Sequence, residues 1–250
     1  MSIRILHCLP VVLIIGASLT GEVRGQEIER GFFPPQQVGA GGGPYLAVVQ
    51  LSMPEFDSRL TGMGLEGLPE WVTLYGAGGH FQIGSLMIGG FSLGGTVERS
   101  GVAGGAMREA WVDICHGGLT VGYVKAVSNL KLALGGSIGV GTLVARLSRS
   151  PQTGPLWDGI WTYYGTGFTG TVDAGNLDIS TELSGSYFFF EPFVSIRYWL
   201  IPMVAVDLGA FYKIGGIGSG KLEVNGEKIP DSPKLDLSGM GIKVGVFLGF

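Results

Sequence analysis

The sequence contains few charged residues, few cysteines and no pattern of metal ligands. Charged residues make up 14% of the 250-residue chain, about half the usual share for a soluble domain. A formal net charge of -4 excludes the basic surface that binds nucleic acid. The two cysteines, Cys8 and Cys115, are too few for a disulfide-rich scaffold. HExxH, paired CxxC and calcium-loop patterns do not occur, so we predict no metal site and no cofactor.

A short apolar run near the N-terminus predicts a secretory signal peptide. Residues 9–15 are apolar apart from Pro10, and Arg4 precedes them. The run is too short to span a bilayer as a helix, which takes about 20 apolar residues. Small or short side chains at Val23 and Gly25 suit signal peptidase. We therefore predict that residues 1–25 are a signal peptide.

Apolar residues in the rest of the chain recur at every second position, which is the period of a β-strand. Residues 129–142 are the clearest case, because the apolar side chains share one parity and Lys131, Ser137 and several glycines share the other. The same alternation occurs in 203–213 and 239–250. These segments predict strands with one apolar face. Only 54–65 favours a short helix.

Eight strands follow from this pattern, at 44–52, 73–83, 86–97, 108–124, 129–148, 179–199, 203–215 and 233–250. The facing of 44–52, 86–97 and 108–124 stays open, because their alternation is weak. The connections between strands alternate in length: 53–72, 98–107, 149–178 and 216–232 are long, and the connections between them are short. Antiparallel strands that run up and down through a membrane would place all long loops on one side.

Residues 44–250 resemble a small outer-membrane β-barrel of the eight-stranded kind. The most specific element is the C-terminal strand, in which apolar residues occupy alternate positions up to the last residue: Met240, Ile242, Val244, Val246, Leu248 and Phe250. In that class, the barrel-assembly machinery reads such a strand as its signal. The resemblance implies an all-β fold, a closed up-and-down antiparallel membrane β-barrel, with a short helix in the first long loop. It also implies a periplasmic linker at 26–43, outer-membrane lipids as partners and location in the cell outer membrane.

Charged residues on the inward parity predict a polar lumen. They are Lys131, Glu191, Arg197, Asp207, Lys213 and Lys243. A tight turn centred on Ile201 would place Arg197 opposite Ala205, so that Asp207 is its diagonal neighbour. The same geometry predicts a second ion pair between Glu191 and Lys213, because an isolated buried charge is costly. We expect glycine and these charges to fill the lumen, which would then not be an open pore.

Three functions fit these features, and a structural or surface-interaction role fits best. A soluble exported barrel or sandwich that binds an apolar ligand would instead place the aliphatic side chains inside. A lipid-modifying enzyme, as in some barrels of the resembled class, could use His116. We expect no enzyme, because no serine partner for His116 stands out and a histidine hydrogen-bonded in the lumen is the simpler interpretation.

Two loops contain further candidate contact residues. In 149–178 the aromatic residues Trp157, Trp161, Tyr163 and Tyr164 suit either the headgroup level of a membrane or contact with a sugar or protein partner. Residues 215–222 match the spacing of a phosphate-binding loop up to Lys221, but Leu222 replaces the hydroxyl residue that contacts magnesium. We predict a surface loop there and no nucleotide site.

Overall fold

The computed structural model describes residues 38–151 and 179–249. Most of these residues are in β-strands. The elements in chain order are β1 (Val38–Gln50), α1 (Pro54–Gly62), β2 (Trp71–Ile83), β3 (Leu86–Ala103), β4 (Ala106–Val127), β5 (Leu130–Pro151), β6 (Ile179–Ile201), β7 (Val204–Ile217), β8 (Glu223–Val224), β9 (Glu227–Lys228), β10 (Leu235–Asp236) and β11 (Gly239–Gly249). Helix α1 begins at Pro54, whose fixed φ suits a first helical turn. The predicted helix in the first long loop is confirmed.

The eight long strands form a closed ring. Their order around it is β7, β11, β1, β2, β3, β4, β5 and β6, and β6 pairs with β7 to close it. The seam between the two ends of the chain is the antiparallel pairing of β1 with β11, from Gly41 opposite Gly249 to Val49 opposite Gly241. The predicted closed up-and-down antiparallel β-barrel is therefore confirmed.

The register of the strands gives the barrel a stagger of ten residues. Starting at Asp207 on β7, the paired residues on successive strands are Gly245, Tyr45, Gly76, Leu93, His116, Gly141 and Tyr187. Phe188 pairs with Gly216, so Tyr187 lies beside Ile217, ten residues beyond Asp207. Eight strands with such a stagger are strongly tilted, and they enclose a space just wide enough for their own side chains.

The barrel wall is unequal in height. Strands β3 to β6 contain 18 to 23 residues, whereas β1, β2, β7 and β11 contain 11 to 14. The long connection predicted at 98–107 is wrong, because a two-residue turn at Gly104 and Gly105 joins β3 to β4. Both glycines have positive φ, 60° and 71°, as this hairpin turn requires. We call the projecting upper part of β3 to β6 the tall wall.

Other strand boundaries shift by a few residues from the prediction. Strand β1 begins at Val38, so the barrel begins inside the predicted linker 26–43. The last predicted strand, 233–250, divides into β10 and β11. The predicted signal 1–25, the four aromatic residues of 149–178 and Phe250 lie outside the described residues. Within the described residues, no helix is long and apolar enough to cross a bilayer.

Candidate functional site

Outward-facing side chains form an apolar belt around the barrel. On β5 the belt contains Ile138, which is 63% exposed, with Leu134 and Val140 on the same parity. On β11 it contains the even-numbered residues that the sequence assigns to the assembly signal, from Met240 to Leu248, all of them exposed. The soluble alternative required these side chains inside the protein, so the structure contradicts it. Such a belt on a closed barrel is the surface that hydrocarbon contacts.

The outer face of the tall wall is polar above this belt. Arg146 on β5 lies between two carboxylates, with Nη1 3.3 Å from Asp113 Oδ2 and Nε 3.0 Å from Glu182 Oε2. Thr96 Oγ1 donates a hydrogen bond of 2.6 Å to the other oxygen of Asp113. Exposed pairs of this kind contribute at most about 1 kcal/mol each. We call these four residues the outer ladder, which marks the upper limit of the apolar belt.

The structure places all six predicted lumen charges on the inward parity, and it brings two of them into contact. Arg197 and Asp207 form a salt bridge through Nη2 and Oδ2, with side chains only 8% and 7% exposed. They are directly opposite each other, so the predicted diagonal register was wrong by two residues although the pair itself forms. Arg197 Nη1 also lies 2.7 Å from His80 Nε2. The guanidinium stacks on Phe247, with Cζ 3.5 Å from the ring centroid.

The predicted ion pair between Glu191 and Lys213 does not form. Glu191 Oε2 and Lys213 Nζ are both buried, and neither has a hydrogen-bond partner among the described residues. The β6–β7 ladder omits Glu191 and Pro192, because proline has no N–H to donate. Lys213 Nζ instead lies 5.7 Å from the ring centroid of Tyr187, and Lys243 Nζ lies 4.7 Å from that of Phe193.

The lumen is filled by packed side chains at the end where the tight turns lie. Lys131 Nζ donates a 3.1 Å hydrogen bond to Gln82 Oε1 and faces the Trp199 ring. Trp199 packs edge-on against Phe247, with ring centroids 5.8 Å apart, and Phe247 stacks on His80 at 4.8 Å. These rings and the Arg197–Asp207 pair together form the turn-end plug, which blocks this end of the lumen.

Aromatic rings lie over glycines on the neighbouring strand through the middle of the lumen. In each case the two residues are directly paired across the strands. The pairs are Tyr45 with Gly245, Phe189 with Gly139, Phe193 with Gly135, Tyr187 with Gly141, and Phe211 with Gly241. A Cβ added to any of these glycines would stand within 3.0 Å of the paired ring. The lumen therefore contains aromatic rings as well as the glycine and charge that the sequence predicts.

The loop end of the lumen is closed by an apolar core. Inward residues of the tall wall, such as Val112, Ile114 and Leu143, pack with Leu51 and Leu237 from the neighbouring loops. Helix α1 covers the upper part of this wall through a second cluster, in which Leu60 and Leu65 pack against Ala110. Arg99 Nε donates a 2.9 Å hydrogen bond to Gly67 O and fixes the segment after the helix. We call this packed region the loop-end core.

His116 lies inside the barrel and is 1% exposed. Its ring packs edge-on against Phe91 and Phe189, at centroid distances of 6.0 and 5.3 Å. Neither ring nitrogen has a hydrogen-bond partner in the described part of the chain, so the hydrogen-bonded histidine expected from the sequence is wrong. In this packed position the ring does not reach the lipid-facing surface.

The segment with the spacing of a phosphate-binding loop contains no helix that could face a phosphate. Gly215 to Ile217 end strand β7, Leu222 is buried, and β8 follows at Glu223. In residues 38–151 and 179–249, no group of three or more His, Cys, Asp or Glu side chains is placed to hold a metal ion.

Sequence reasoning missed His80 and the aromatic residues of the lumen. His80 shares the inward parity of β2 with Gln82, but the glycines at 76, 78 and 79 weaken the alternation there. Tyr187, Phe189 and Phe193 fall on the inward parity of β6, in a run where Phe188 and Phe190 face outward. The sequence did contain a signal for these rings, because each aromatic residue lies at a position of the same parity as the inward charged residues of its strand. Pairing each ring with its glycine requires the register, which the sequence alone does not supply.

No protein-family model matches the chain, and no curated protein matches it significantly. Among solved structures it is similar to Ail, the attachment invasion locus protein of Yersinia pestis, crystallised with the heparin analogue sucrose octasulfate, at 10% identity and a TM-score of 0.44, covering 86% of this chain and 100% of that one. It is also similar to Neisserial surface protein A, at 11% identity and a TM-score of 0.35, with 86% and 98% covered. For the outer membrane protease OmpT of Escherichia coli the identity is 8% and the TM-score 0.40, with 86% and 97% covered. Identities and scores this low carry no information about the activity of this chain.

The membrane setting follows from the barrel itself. Hydrocarbon requires every backbone N–H and C=O to be paired, and a closed ring of strands meets this requirement. The apolar belt covers the outside of the ring, and three tight turns lie together at the end opposite the loops. Closure and the apolar belt make this chain a transmembrane β-barrel of the outer-membrane type.

Proposed function

We propose that this barrel has a structural or surface-interaction role in the outer membrane, exerted by its loop end and not by passage through its lumen. The observation that carries the proposal is the packing of the lumen at both ends. The turn-end plug contains Trp199, Phe247 and the Arg197–Asp207 pair. The loop-end core contains Ile114, Leu143 and their apolar neighbours. A solute would have to displace both.

The tall wall supports a role at the cell surface. In membrane barrels the tight turns lie on the periplasmic side and the long loops on the outside. The tall wall and helix α1 are at the loop end, so they would project from the outer leaflet. Their outward face contains the outer ladder of Thr96, Asp113, Arg146 and Glu182. A partner at the cell surface would meet this polar face first.

We propose further that the chain is not a lipid-modifying enzyme. Acyl transfer by a histidine needs a nucleophile within hydrogen-bond reach and access to the lipid. His116 is packed between Phe91 and Phe189 inside the barrel. A lipid ester in the surrounding bilayer would not reach it without opening the strands. This arrangement favours a packing role for His116.

Conductance tests the closed lumen. The folded chain, inserted into planar lipid bilayers, should give no steady single-channel steps, because both ends of the lumen are packed. A matched variant, Trp199→Ala, removes one ring of the turn-end plug and leaves the loop-end core in place, so it should also remain closed. Steady conductance by the parent chain would contradict the proposal, since ions would then pass both packed regions.

Labelling in intact cells tests the surface role. A cysteine introduced at Glu98, an exposed residue of the tall wall, should react with a membrane-impermeant maleimide. The matched control is a cysteine at Ser85, in the exposed tight turn between β2 and β3, which should react only after lysis. Both signals are compared with the labelling of the parent chain. Equal labelling of Ser85 in intact cells, or recovery of the chain in the soluble fraction, would refute the proposed placement.

A further inference from the structure

Two arginines are paired on the inner side of the tall wall, beyond the loop-end core. Arg108 on β4 is directly opposite Arg149 on β5. Ala106 and Ala110, the neighbours of Arg108 on the same face of β4, are both 1% exposed, so the two arginines lie on the inward parity. Directly paired residues have Cβ atoms about 4.5–5.5 Å apart, and like charges in such a pair destabilise the sheet. The pair therefore needs a counter-charge.

The described part of the chain supplies no carboxylate to this pair. Its salt bridges involve Arg146 and Arg197, and none of them involves Arg108 or Arg149. The neighbours on the same face of β3, β4 and β5 are basic or uncharged: Arg99, Gly101, Ala103, Ala106, Ala110 and Leu147. Arg99 thus adds a third positive charge to this face of the tall wall.

The segment after helix α1 holds one end of the Arg108 guanidinium and leaves space at the other. Arg108 Nη1 donates a hydrogen bond to Met63 O. Asp57 of α1 accepts a 2.8 Å hydrogen bond from the Leu68 N–H and forms no salt bridge with a described residue. Arg108 Nη2 lies 3.9 Å from the position of a Cβ added to Gly104. Among the described residues beyond its chain neighbours, no other atom lies within 4 Å of that position.

The end of the Arg149 side chain is accessible, although its inner part is packed. Arg149 Nε is buried and has no hydrogen-bond partner, whereas Nη1 and Nη2 are not shielded in this way. Neither terminal nitrogen donates to a described residue, so solvent reaches both. Arg108 Nη2 and the two terminal nitrogens of Arg149 can therefore donate to a ligand from outside the chain.

We propose that Arg108 and Arg149 form a binding site for a phosphate group. A phosphate supplies the negative charge that the pair lacks. Its several oxygens can accept from both guanidinium groups, and such charge-assisted hydrogen bonds are strong. The planar fork of arginine also matches the geometry of phosphate, which lysine does not. This proposal rests on the fold of the loop end and does not depend on the surface role of the barrel.

The position of the site indicates where the phosphate comes from. Arg149 lies three residues beyond Arg146 of the outer ladder and on the opposite face of β5, a distance of about 10 Å along the strand. The outer ladder marks the upper limit of the apolar belt. The site is therefore above the hydrocarbon and faces away from it. This placement favours free phosphate or a soluble phosphate ester over the headgroup of a membrane lipid.

Calorimetric titration of the folded chain in detergent micelles with inorganic phosphate tests the site. Arg149→Gln should weaken binding by about tenfold or more, since a hydrogen bond to a charged group contributes this much. Arg146→Gln is the matched control, because it removes the same charge from the outer face of the same strand; its affinity should stay within about twofold of the parent. No binding by the parent chain, or equal loss in both variants, would overturn the proposal.

Stability distinguishes a binding site from a purely structural arginine. In chloride, Arg149→Gln removes a like-charge contact and should unfold at the same urea concentration as the parent or at a higher one. Phosphate stabilises folded proteins in general, so the informative quantity is the difference between chains at equal ionic strength. The parent should gain more stability from phosphate than Arg149→Gln does, and Arg149→Lys should keep only part of that gain. Failure of Arg149→Gln to fold in chloride, or equal gains in the parent and Arg149→Gln, would overturn the proposal.

Two competitors identify the source of the phosphate group. Glucose 6-phosphate, a soluble ester, should displace inorganic phosphate from the parent chain. Phosphatidic acid in the micelle should not, because the site faces away from the lipid. Displacement by phosphatidic acid and not by glucose 6-phosphate would overturn the placement of the site.

Discussion

Replacement of Gly241 by alanine should destabilise the barrel through a single aromatic ring. Gly241 on β11 is directly opposite Phe211 on β7, and Phe211 is buried in the lumen core. An added Cβ would stand closer than 3.0 Å to three atoms of the Phe211 ring, and these are the nearest atoms it would meet. The ring must therefore move into a packed interior.

The expected magnitude follows from two opposing effects. Forcing an extra carbon into a packed core costs about 1–3 kcal/mol. Alanine also restricts the unfolded chain more than glycine does, which offsets roughly 0.4–1 kcal/mol of that cost. We therefore expect Gly241→Ala to lower the free energy of unfolding by about 1–2 kcal/mol. Urea-induced unfolding from lipid vesicles, followed by tryptophan fluorescence, measures this difference.

A matched control and a rescue variant identify the cause. Gly94→Ala adds the same methyl group on β3, where the nearest atom, Ile114 O, would be 3.4 Å away, so its effect should stay within about 0.5 kcal/mol. Phe211→Leu removes the ring and, combined with Gly241→Ala, should restore space for the added methyl group, with a coupling of about 0.5–3 kcal/mol. If Gly241→Ala is as stable as Gly94→Ala, or Phe211→Leu gives no rescue, glycine does not act here by making room for rings.

Four further predictions concern the belt, the lumen, the loop end and assembly. Arginine at Ile138 or Val244, both exposed in the belt, should cost about 2–4 kcal/mol near the bilayer midplane; folding into lipid as efficient as that of the parent would show that these side chains do not face hydrocarbon. Asp207→Asn leaves the buried Arg197 without its counter-charge, which should cost about 3–5 kcal/mol. Unchanged stability together with altered conductance would show that the Arg197–Asp207 pair controls the passage of ions and does not stabilise the barrel. At the loop end, hydrogen bonds from Ser238 lower the pKa of the Asp236 carboxyl. The stabilisation by the ionised carboxylate is therefore complete above the ordinary carboxyl pKa and is lost as pH falls through the lowered pKa of Asp236. An NMR titration of the Ser238 amide with its midpoint at the ordinary carboxyl pKa would contradict this. Deletion of Phe250 should reduce membrane insertion more than deletion of Asp231, an exposed residue of the 216–232 loop, and equal amounts of folded protein from both variants would remove the support for an assembly signal.

The parts of the fold predicted from sequence are those where one face of a strand meets hydrocarbon. In β5, β7 and β11 the aliphatic residues occupy one parity along the whole belt, so the strands and their inward charges could be placed from the sequence. The upper end of β3 could not, because the polar residues Thr96, Glu98 and Ser100 replace aliphatic residues on its outward parity. There the alternation reverses, and the hairpin at Gly104 was taken for a long loop.

Contacts between strands were harder to predict because they depend on register. The turn between β6 and β7 lies at Pro202 and Met203 and not at Ile201, and with the shift between Trp199 and Ile201 it places Arg197 opposite Asp207. The same register places Glu191 opposite Lys213, yet no ion pair forms between them. The position of the turn therefore decided the register, and the register alone did not decide which of the two predicted ion pairs forms. The same dependence on register concealed the pairs of rings and glycines.

The seam between β1 and β11 has a consequence for how the chain must fold. Gly41 and Gly249 are paired there, although they are far apart in the sequence. Until that contact forms, both terminal strands present open edges of unpaired backbone, which hydrocarbon does not tolerate. Contacts between such distant residues also slow folding. Strands therefore cannot enter the bilayer one at a time as the chain is exported; the last strand must arrive before any part of the ring is stable there.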